Sequence, residues 1–420
     1  MKILVLSWEY PPHILGGLGK HVYALSNAFT DEGVEVHVIT RGEVEAPLYE
    51  MAGNVHLHRA PYYSPPPRDF HTMVLQTNFN MVETALKVVN SIGDIDIIHA
   101  HDWLVAHAGK LLKHTLSRPL VATIHATEWG RNQGLHNDLQ RYISDVEWWL
   151  AYEAWNVICC SEYMRNEIKS IFQIPDDKIR VIPNGVDVRE FESDVDTWKF
   201  KHEYAAWDEK VIFFVGRLVR EKGVDTLIEA IPKILSIEPK AKFLIAGKGP
   251  ALEGLKNKAA TLGVAHKVYF TGYIDDATRN GLYKCAEVAV FPSLYEPFGI
   301  VALEAMAAKA PVVVGDVGGF SEVVRDDLGV KVQPGDSDSL AAGILKILQN
   351  PSLGQVLRDN GYREVTLKYN WRDVAKKTLK VFQDVLREYE ESPWKKDVLF
   401  NMQHMKESLT GDFGRYRVTH

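Results

Sequence analysis

Residues Val211–Gly223 read VIFFVGRLVREKG, an apolar run that ends at a glycine and turns basic. Apolar residues at consecutive positions predict a strand buried on both faces, as in a parallel sheet. The segment that follows has an apolar stripe at helical spacing, formed by Leu227, Ile228, Ile231 and Ile234. A strand, a turn and a helix in this order predict a parallel β/α unit, and this one begins near the middle of the chain.

The same alternation of apolar strands and amphipathic helices runs through both halves of the chain. In the second half it predicts strands at Lys242–Ala246, Val268–Phe270, Val288–Phe291, Pro311–Val314 and Val330–Val332. In the first half it predicts strands at Ile3–Leu6, Val36–Ile39, Ile95–Ile98, Leu120–Ile124, Val157–Cys159 and Arg180–Ile182. We therefore predict an α/β fold with two doubly wound parallel-sheet domains that face each other across a cleft.

The length of the chain also favours two domains. A chain of 420 residues exceeds the size that one core usually supports, about 250–300 residues. The charged, strand-poor stretch 187–210 is the predicted break. We assign residues 1–190 to the N-terminal domain and 191–370 to the C-terminal domain. We expect a helix at 371–391 to pack back toward the N-terminal domain, and we assign no role to the tail at 392–420.

Composition excludes several classes of function. The net charge of −7 argues against a general nucleic-acid partner. The three cysteines contain no C-x-x-C pair, which makes a zinc framework or a disulfide framework unexpected and predicts a reducing, cytoplasmic location. No run of 18 or more apolar residues occurs, so we expect no integral membrane segment. The oligomeric state is left open.

Glycines and cations follow the first strand of each half, where ligands bind in open parallel sheets. Gly17 and Gly19 belong to a GGLG turn that leads into a helix, and backbone amides there suit an anionic group. Val22 replaces the third glycine of a nicotinamide fingerprint, and a plain tight turn is the alternative. Arg217 and Lys222 together suit a phosphate, the alternative being a solvated basic turn.

Two glutamates bracket the segment YEPFGIVALE. Glu296 is expected on a loop at the carboxyl end of a strand, and Glu304 a little over one turn into the next helix. Neither has a Lys or Arg within four residues, so the sequence presents both as unpaired carboxylates. Carboxylates accept hydrogen bonds from paired hydroxyls, which favours a sugar over a metal as the ligand. The backbone amides of Phe298-Gly299-Ile300 open the next helix and form another potential anion-binding site. The alternative for Glu304 is an ordinary helix residue. The alternative for Glu296 is a negative charge that is favourable near a helix start.

These motifs carry a resemblance to a known family. GRLVREKG, VIPNGVD, FPSLYEPFGIVALEAMAAKAPVVVGDVGG and EYPPHILGGLGKHV resemble the retaining nucleotide-sugar glycosyltransferases of the GT-B type, which have two Rossmann-like domains. Within these, the chain is similar to the family 4-like group that holds glycogen-synthase-like, sucrose-synthase-like and mannosyltransferase members. The similarity runs from about Met1 to Tyr389.

The resemblance implies a role for each matching residue. It places Arg217 and Lys222 at the donor diphosphate, Glu296 at the donor sugar and Glu304 at the nucleotide ribose. His125 matches a histidine near the reacting face of the sugar. The implied catalytic residues are Arg217, Lys222, Glu296 and His125, and the implied donor-binding residues are Gly17, Gly19, Phe298, Gly299, Ile300 and Glu304.

The implied activity is a metal-independent transfer of a hexose, with retention, from ADP- or UDP-glucose to an α-glucan. The N-terminal domain would then bind the acceptor and the C-terminal domain the donor. The implied partners are a nucleotide-sugar donor and a carbohydrate acceptor, and the resemblance implies no cofactor. Alternatives are transfer to a sugar phosphate, a small sugar or a lipid, a nucleotide-sugar epimerase or hydrolase of the same fold, and a non-catalytic binding protein.

Other polar residues are weaker candidates. Asp94 and Asp96 resemble a metal-binding D-x-D pair, but they precede a strand and should face away from the cleft. His99 and His101 share one face of an extended segment, but a third good metal ligand is missing, so we predict no metal site. The candidate acceptor-site residues are Asp102, Trp129 and Arg131.

Overall fold

The computed structural model describes residues 1–12, 14, 16–43, 46–61, 66–192 and 197–395. Most of the predicted tail, residues 396–420, and part of the predicted interdomain break, residues 193–196, lie outside the described residues. Two sheets dominate the rest of the chain. Among the described residues, no helix combines the length and the apolar character that crossing a lipid bilayer requires.

The first half of the chain forms an eight-stranded sheet with the order β3-β4-β2-β1-β5-β6-β7-β8. Its strands are β1 Lys2–Ser7, β2 Glu35–Arg41, β3 Tyr49–Ala52, β4 Val55–Ala60, β5 Ile97–His101, β6 Leu120–Ile124, β7 Asn156–Cys159 and β8 Ile179–Val181. Its helices are α1 Gly17–Asp31, α2 Phe70–Ile92, α3 Ala106–Leu116, α4 Glu128–Asn132, α5 Asp138–Glu153 and α6 Glu162–Phe172. All neighbouring strands are parallel except β3, which runs antiparallel to β4 at the edge and which sequence analysis missed.

The second half forms a six-stranded parallel sheet with the order β11-β10-β9-β12-β13-β14. Its strands are β9 Lys210–Val215, β10 Ala241–Ala246, β11 Val268–Gly272, β12 Val288–Phe291, β13 Val312–Gly315 and β14 Gly329–Val332. The helices are α7 Thr197–Tyr204, α8 Val224–Ile237, α9 Leu252–Thr261, α10 Asp276–Cys285, α11 Ile300–Ala307, α12 Gly319–Val323, α13 Ser337–Leu348, α14 Pro351–Lys368 and α15 Trp371–Glu391. The predicted pair of doubly wound sheets is confirmed.

The last helix returns to the first sheet. Its inward side buries Val374, Val381, Phe382 and Val385. The ring of Phe382 lies 5.7 Å from that of Phe29 on α1. These two helices cover one face of the first sheet, because their apolar side chains share a core cluster with Ile3, Val5 and Val36. The C-terminal segment therefore closes the fold on its N-terminal half.

One strand lies further along the chain than the sequence indicates. The apolar run predicts Ile95–Ile98, but β5 spans Ile97–His101. Asp96 explains the late start, because its carboxylate accepts a 2.7 Å hydrogen bond from the backbone N–H of Lys2 and so belongs to the turn before the strand. The shift brings His99 and His101 into the strand and delivers the latter to its carboxyl end.

The strand order reverses at one point in each sheet, beside β1 in the first and β9 in the second. At such a point the loops from the carboxyl ends of adjacent strands diverge to opposite faces and leave a crevice. The loops after β1 and β5 therefore meet in one sheet, and those after β9 and β12 meet in the other. Each of these loops carries a candidate residue.

Candidate functional site

The basic turn after β9 packs closely against the loop after β12. A short 3-10 turn, Arg220–Lys222, ends at Gly223, whose φ of 63° lies in the left-handed region. A Cβ at Gly223 would lie 2.0 Å from the backbone oxygen of Pro292, so only glycine fits. This close approach places the Lys222 Nζ 2.8 Å from Oε2 of Glu296. Arg217 is half-exposed and its Nη2 lies 3.3 Å from Oε1 of Glu221.

The two glutamates lie where the sequence predicts, but they are not unpaired. Glu296 is 7% exposed and accepts hydrogen bonds from Lys222 and, at 3.1 Å, from the Ser293 hydroxyl. Glu304 is 6% exposed, and its Oε1 lies 3.1 Å from the Lys20 Nζ and 3.6 Å from an Arg279 nitrogen. The expectation of unpaired carboxylates is wrong, because the partners lie far away in sequence and the fold brings them together.

The glycine turn after β1 faces the start of α11. A Cβ on Gly17 would lie 3.5 Å from Cδ1 of Ile300, so the helix starts of the two domains meet across the cleft. Gly19 points elsewhere, because its Cβ would lie 3.0 Å from Cγ1 of Ile14 and 3.1 Å from Cβ of Glu9. Of the two predicted donor-side glycines, Gly17 lines the cleft and Gly19 serves close packing within the turn.

The start of α11 depends on a glycine backbone at its N-cap. The Phe298 side chain is buried. Gly299 has a φ of 99°, and a Cβ there would lie 2.2 Å from the ring of Phe320. The amides that open the helix, beginning at Ile300, therefore lie on a backbone that no larger residue can adopt. That these amides bind an anionic group stays a prediction.

Histidines from three elements meet on the N-terminal side of the cleft. His21 is on α1, His101 ends β5 and His125 follows β6. The Nδ1 of His101 lies 3.1 Å from the Nε2 of His125, and the ring of His21 lies 4.6 Å from that of His125. Burial lowers the pKa of His21 and His101 well below the usual range. Burial and, secondly, the charge of Arg131 lower the pKa of His125 to about 3, so its imidazole is neutral at neutral pH.

The sequence-based inference that a third good metal ligand is missing is wrong. His21, His101 and His125 each offer one ring nitrogen, and these nitrogens lie within 4.8 Å of one another. His21 is two residues after the glycine turn on the buried side of α1, beside Val22. A polar residue within an apolar helix stripe is the signal that sequence reasoning overlooked. His99 faces Thr123 instead, with its Nε2 2.7 Å from the hydroxyl.

Asp102 holds His125 in place. Its Oδ1 accepts a 2.7 Å hydrogen bond from the backbone N–H of His125. Its φ of 60° is rare for a residue with a side chain, and such strain clusters at functional sites. Burial raises the pKa of Asp102 to about 6, although Arg131 opposes the shift. Arg131 lies 4.0 Å from Asp102 and 4.0 Å from Glu128, so it belongs to this charged cluster.

The loop that carries Glu296 also fastens the two domains together. The Tyr295 hydroxyl donates a 2.8 Å hydrogen bond to Glu167 on α6 and accepts one of 3.3 Å from the backbone N–H of Thr127. The Ser161 hydroxyl donates to the Pro297 carbonyl at 2.6 Å. Trp129, one of the residues predicted to border an acceptor, is next to this contact on α4 and is 43% exposed.

The aspartates of the D-x-D pair lie at the amino ends of the strands, on the side of the sheet away from the cleft, as expected. Asp96 accepts from the backbone of Lys2 at the amino end of β1, and Asp94 pairs with Arg118 at 2.9 Å. Both side chains serve structural contacts there.

Two family models match the chain, one over each half. Residues 15–190 match the model Glycosyltransferase Family 4, and residues 196–364 match the model Glycosyl transferases group 1. These matches confirm the resemblance drawn from the motifs.

Similar proteins align with the chain over most of its length. An uncharacterised glycosyltransferase of Methanocaldococcus jannaschii is 40% identical over 391 residues, which cover 91% of this chain and 98% of that protein. Glycogen synthase of Mycobacterium tuberculosis is 34% identical over 401 residues, or 91% and 94% of the two chains. The solved structure of sucrose-phosphate synthase from Thermosynechococcus elongatus superposes with a TM-score of 0.80, with 26% identity over 92% of this chain and 99% of that one. The predicted GT-B architecture is thereby confirmed.

The contact between α4 and Tyr295 generates a prediction. A Cβ on Gly130 would lie 2.4–2.6 Å from ring atoms of Tyr295, which leaves no room for it. We expect Gly130→Ala to push the two domains apart, which would raise the radius of gyration in small-angle scattering and lower the melting temperature. The matched control is Gly254→Ala on α9, where nothing lies within 4 Å of the new Cβ. That variant should be neutral, or stabilising by up to about 1 kcal/mol. Equal behaviour of the two variants would contradict the contact.

Proposed function

The chain belongs to the glycosyltransferases, with a family 4 domain followed by a group 1 domain, and we propose that it transfers glucose from ADP- or UDP-glucose to an α-glucan with retention. The observation that carries the proposal is the contact between Lys222 and Glu296 at the reversal point of the second sheet. A cation that suits a phosphate thus lies directly beside a carboxylate that suits sugar hydroxyls, and this supports the proposal.

The donor diphosphate would lie between Arg217 and Lys222. Breaking the bond from the sugar to the phosphate leaves an additional negative charge on the diphosphate. Arg supplies a fork of donors and Lys a compact charge, and the amides at the start of α11 add further donors. Fixed positive groups that face a developing charge lower the barrier, and this set needs no metal ion.

Glu296 and Glu304 would hold the two sugars of the donor. The side chains of Lys222 and Ser293 orient the Glu296 carboxylate, which then accepts hydroxyls of the transferred glucose. Lys20 and Arg279 orient Glu304, which accepts hydroxyls of the ribose. Because Lys20 comes from the N-terminal domain, donor binding at Glu304 would involve both domains.

His125 would contact the reacting face of the glucose as a neutral hydrogen-bonding group. Its low pKa supports this role, because a protonated imidazole would oppose the positive charge that develops on the sugar. Asp102 would act as a positioning residue through the backbone of His125.

The retaining step we propose needs no covalent enzyme intermediate. The bond between the anomeric carbon and the phosphate oxygen breaks, and the acceptor oxygen forms its bond on the same face. The acceptor hydroxyl loses its proton to the leaving phosphate oxygen. Closure of the cleft excludes water from the activated sugar.

The α-glucan acceptor is supported by two observations. The chain is 34% identical to a glycogen synthase over 91% of its length. Trp129 also presents a half-exposed indole near the cleft, and an aromatic face suits an extended sugar chain. Arg131 is on the same short helix and lies 4.0 Å from Asp102, so the acceptor would approach across α4.

A first prediction concerns the diphosphate. Lys222→Ala should reduce turnover by about 10²–10³-fold at saturating donor, because a charge-stabilising donor is lost. Lys233→Ala, which removes a surface lysine paired with Asp338 at 2.8 Å, is the matched control and should leave turnover unchanged. Nucleotide release measures both, with thermal melts to verify folding. Normal turnover of a folded Lys222→Ala variant would rule out the diphosphate role.

A second prediction concerns the ribose. Glu304→Ala should weaken binding of the bare nucleoside diphosphate by about 10–100-fold, since hydrogen bonds to a charged group contribute about 1.5–3 kcal/mol. Calorimetric titration measures this, and Glu253→Ala on the exposed side of α9 is the control. An unchanged affinity in Glu304→Ala would remove the ribose from this site.

A panel of donors and acceptors tests the function itself. ADP-, UDP- and GDP-sugars are each combined with maltooligosaccharides, monosaccharides, sugar phosphates or a lipid extract, with and without EDTA. We expect release of ADP or UDP only with a glucan, unaffected by EDTA. Nucleotide release with another acceptor would contradict the glucan as acceptor. Loss of nucleotide release in EDTA would contradict metal independence. Nucleotide release without any acceptor would indicate hydrolysis of the donor. Tight nucleotide binding without any release would indicate a binding protein.

A further inference from the structure

The geometry points to a site for a transition metal ion of the zinc class, formed by His21, His101 and His125. Each of the three offers a ring nitrogen, and the three nitrogens lie within 4.8 Å of one another. We name these residues the histidine triad. Lys20, Asp102 and Arg131 lie on the same domain as the triad, and only the triad brings three ring nitrogens together there.

One pair within the triad has nearly the spacing of zinc ligands. With Zn–N distances of about 2.0–2.1 Å in a tetrahedron, two ligand nitrogens lie about 3.3–3.4 Å apart. The Nδ1 of His101 and the Nε2 of His125 are 3.1 Å apart. A small separation of these two rings would therefore turn a hydrogen bond into a pair of ligands.

Asn184 orients His21, the third ligand of the proposed site. The Nδ1 of His21 lies 2.8 Å from the side-chain oxygen of Asn184, the kind of outer contact that fixes the orientation of a metal-binding imidazole. This contact leaves the Nε2 for an ion. That nitrogen is buried, in a residue 5% exposed, and has no hydrogen-bond partner among the described residues. A buried polar atom without a partner costs stability, and an ion at the triad would remove that cost.

The triad is held rigidly and has one open side. Its residues come from a helix and from the ends of two adjacent strands, and the ring of Trp371 lies 5.3 Å from that of His21. His125 is the one member of the triad that is partly exposed, so a fourth ligand would approach an ion from its side. Three imidazoles with an open fourth position suit Zn²⁺, Co²⁺, Ni²⁺ or Cu²⁺, whereas Mg²⁺ and Ca²⁺ prefer oxygen ligands.

Metal binding here has a consequence for activity. An ion would engage the His125 nitrogen that the proposed reaction needs at the sugar, so Zn²⁺ should inhibit the enzyme. Only this consequence rests on the proposed function, because binding itself depends on the triad alone. Asp102 would partly balance the added charge through its contact with His125, and Arg131 would oppose it.

The decisive measurements use the intact chain after treatment with a chelator that is then removed. We expect calorimetry to show one Zn²⁺ per chain and no binding of Mg²⁺. The zinc X-ray absorption spectrum should show about three nitrogen neighbours at about 2.0–2.1 Å. Cobalt should show the intense visible bands of a four-coordinate ion. A first shell of oxygens only, or no bound ion, would overturn the site.

Variants assign the ligands. His21→Gln and His101→Gln should each weaken Zn²⁺ binding at least tenfold, and Asn184→Ala should weaken it by about 10–100-fold as an outer contact. The matched control is His266→Gln, which removes an exposed histidine of the other domain and should bind as the unaltered chain does. If the triad variants fail to fold, the absorption spectrum of the unaltered chain still decides. Equal affinity in His21→Gln and His266→Gln would overturn the assignment. Zinc binding without inhibition would leave the metal site standing and remove His125 from the proposed reaction.

Discussion

The ion pair between Lys222 and Glu296 is the interaction on which the cleft depends. Its two residues follow β9 and β12, which are neighbours only because the strand order reverses beside β9. Gly223 permits the close contact of their loops, and Tyr295, adjacent to Glu296, carries the same loop into the N-terminal domain. One loop therefore positions a carboxylate, orients a cation and fastens the domains.

Much of this arrangement is predictable from sequence, because it depends on local order. Val288–Phe291 is a strand by its apolar run alone, and a loop after a parallel strand must lie at its carboxyl end, so the place of Glu296 follows. The partners of the glutamates are not predictable in this way. Lys20 and Glu304 are 284 residues apart and belong to different domains, so no local pattern relates them. The interdomain hydrogen bonds of Tyr295 escape prediction for the same reason.

The histidines show a second limit. The carboxyl end of β5 lies at His101, three residues beyond the predicted end at Ile98, so the sequence did not place a histidine at the end of this strand. His21 belongs to a helix that appears amphipathic in the ordinary way, and only the fold reveals that its ring meets those of His101 and His125. Residue type and spacing identify a metal site when the ligands are near in sequence, and here they come from three separate elements.

The distribution of charge across the cleft accounts for the direction of the proposed transfer. On the C-terminal side, Arg217 and Lys222 would face the proposed diphosphate. The N-terminal side presents three imidazoles held neutral by burial, beside the cations Lys20 and Arg131. In the proposed reaction the sugar would project toward these imidazoles. The proposed metal site uses the same imidazoles but rests on their geometry, so it stands apart from the proposed role of His125 in transfer.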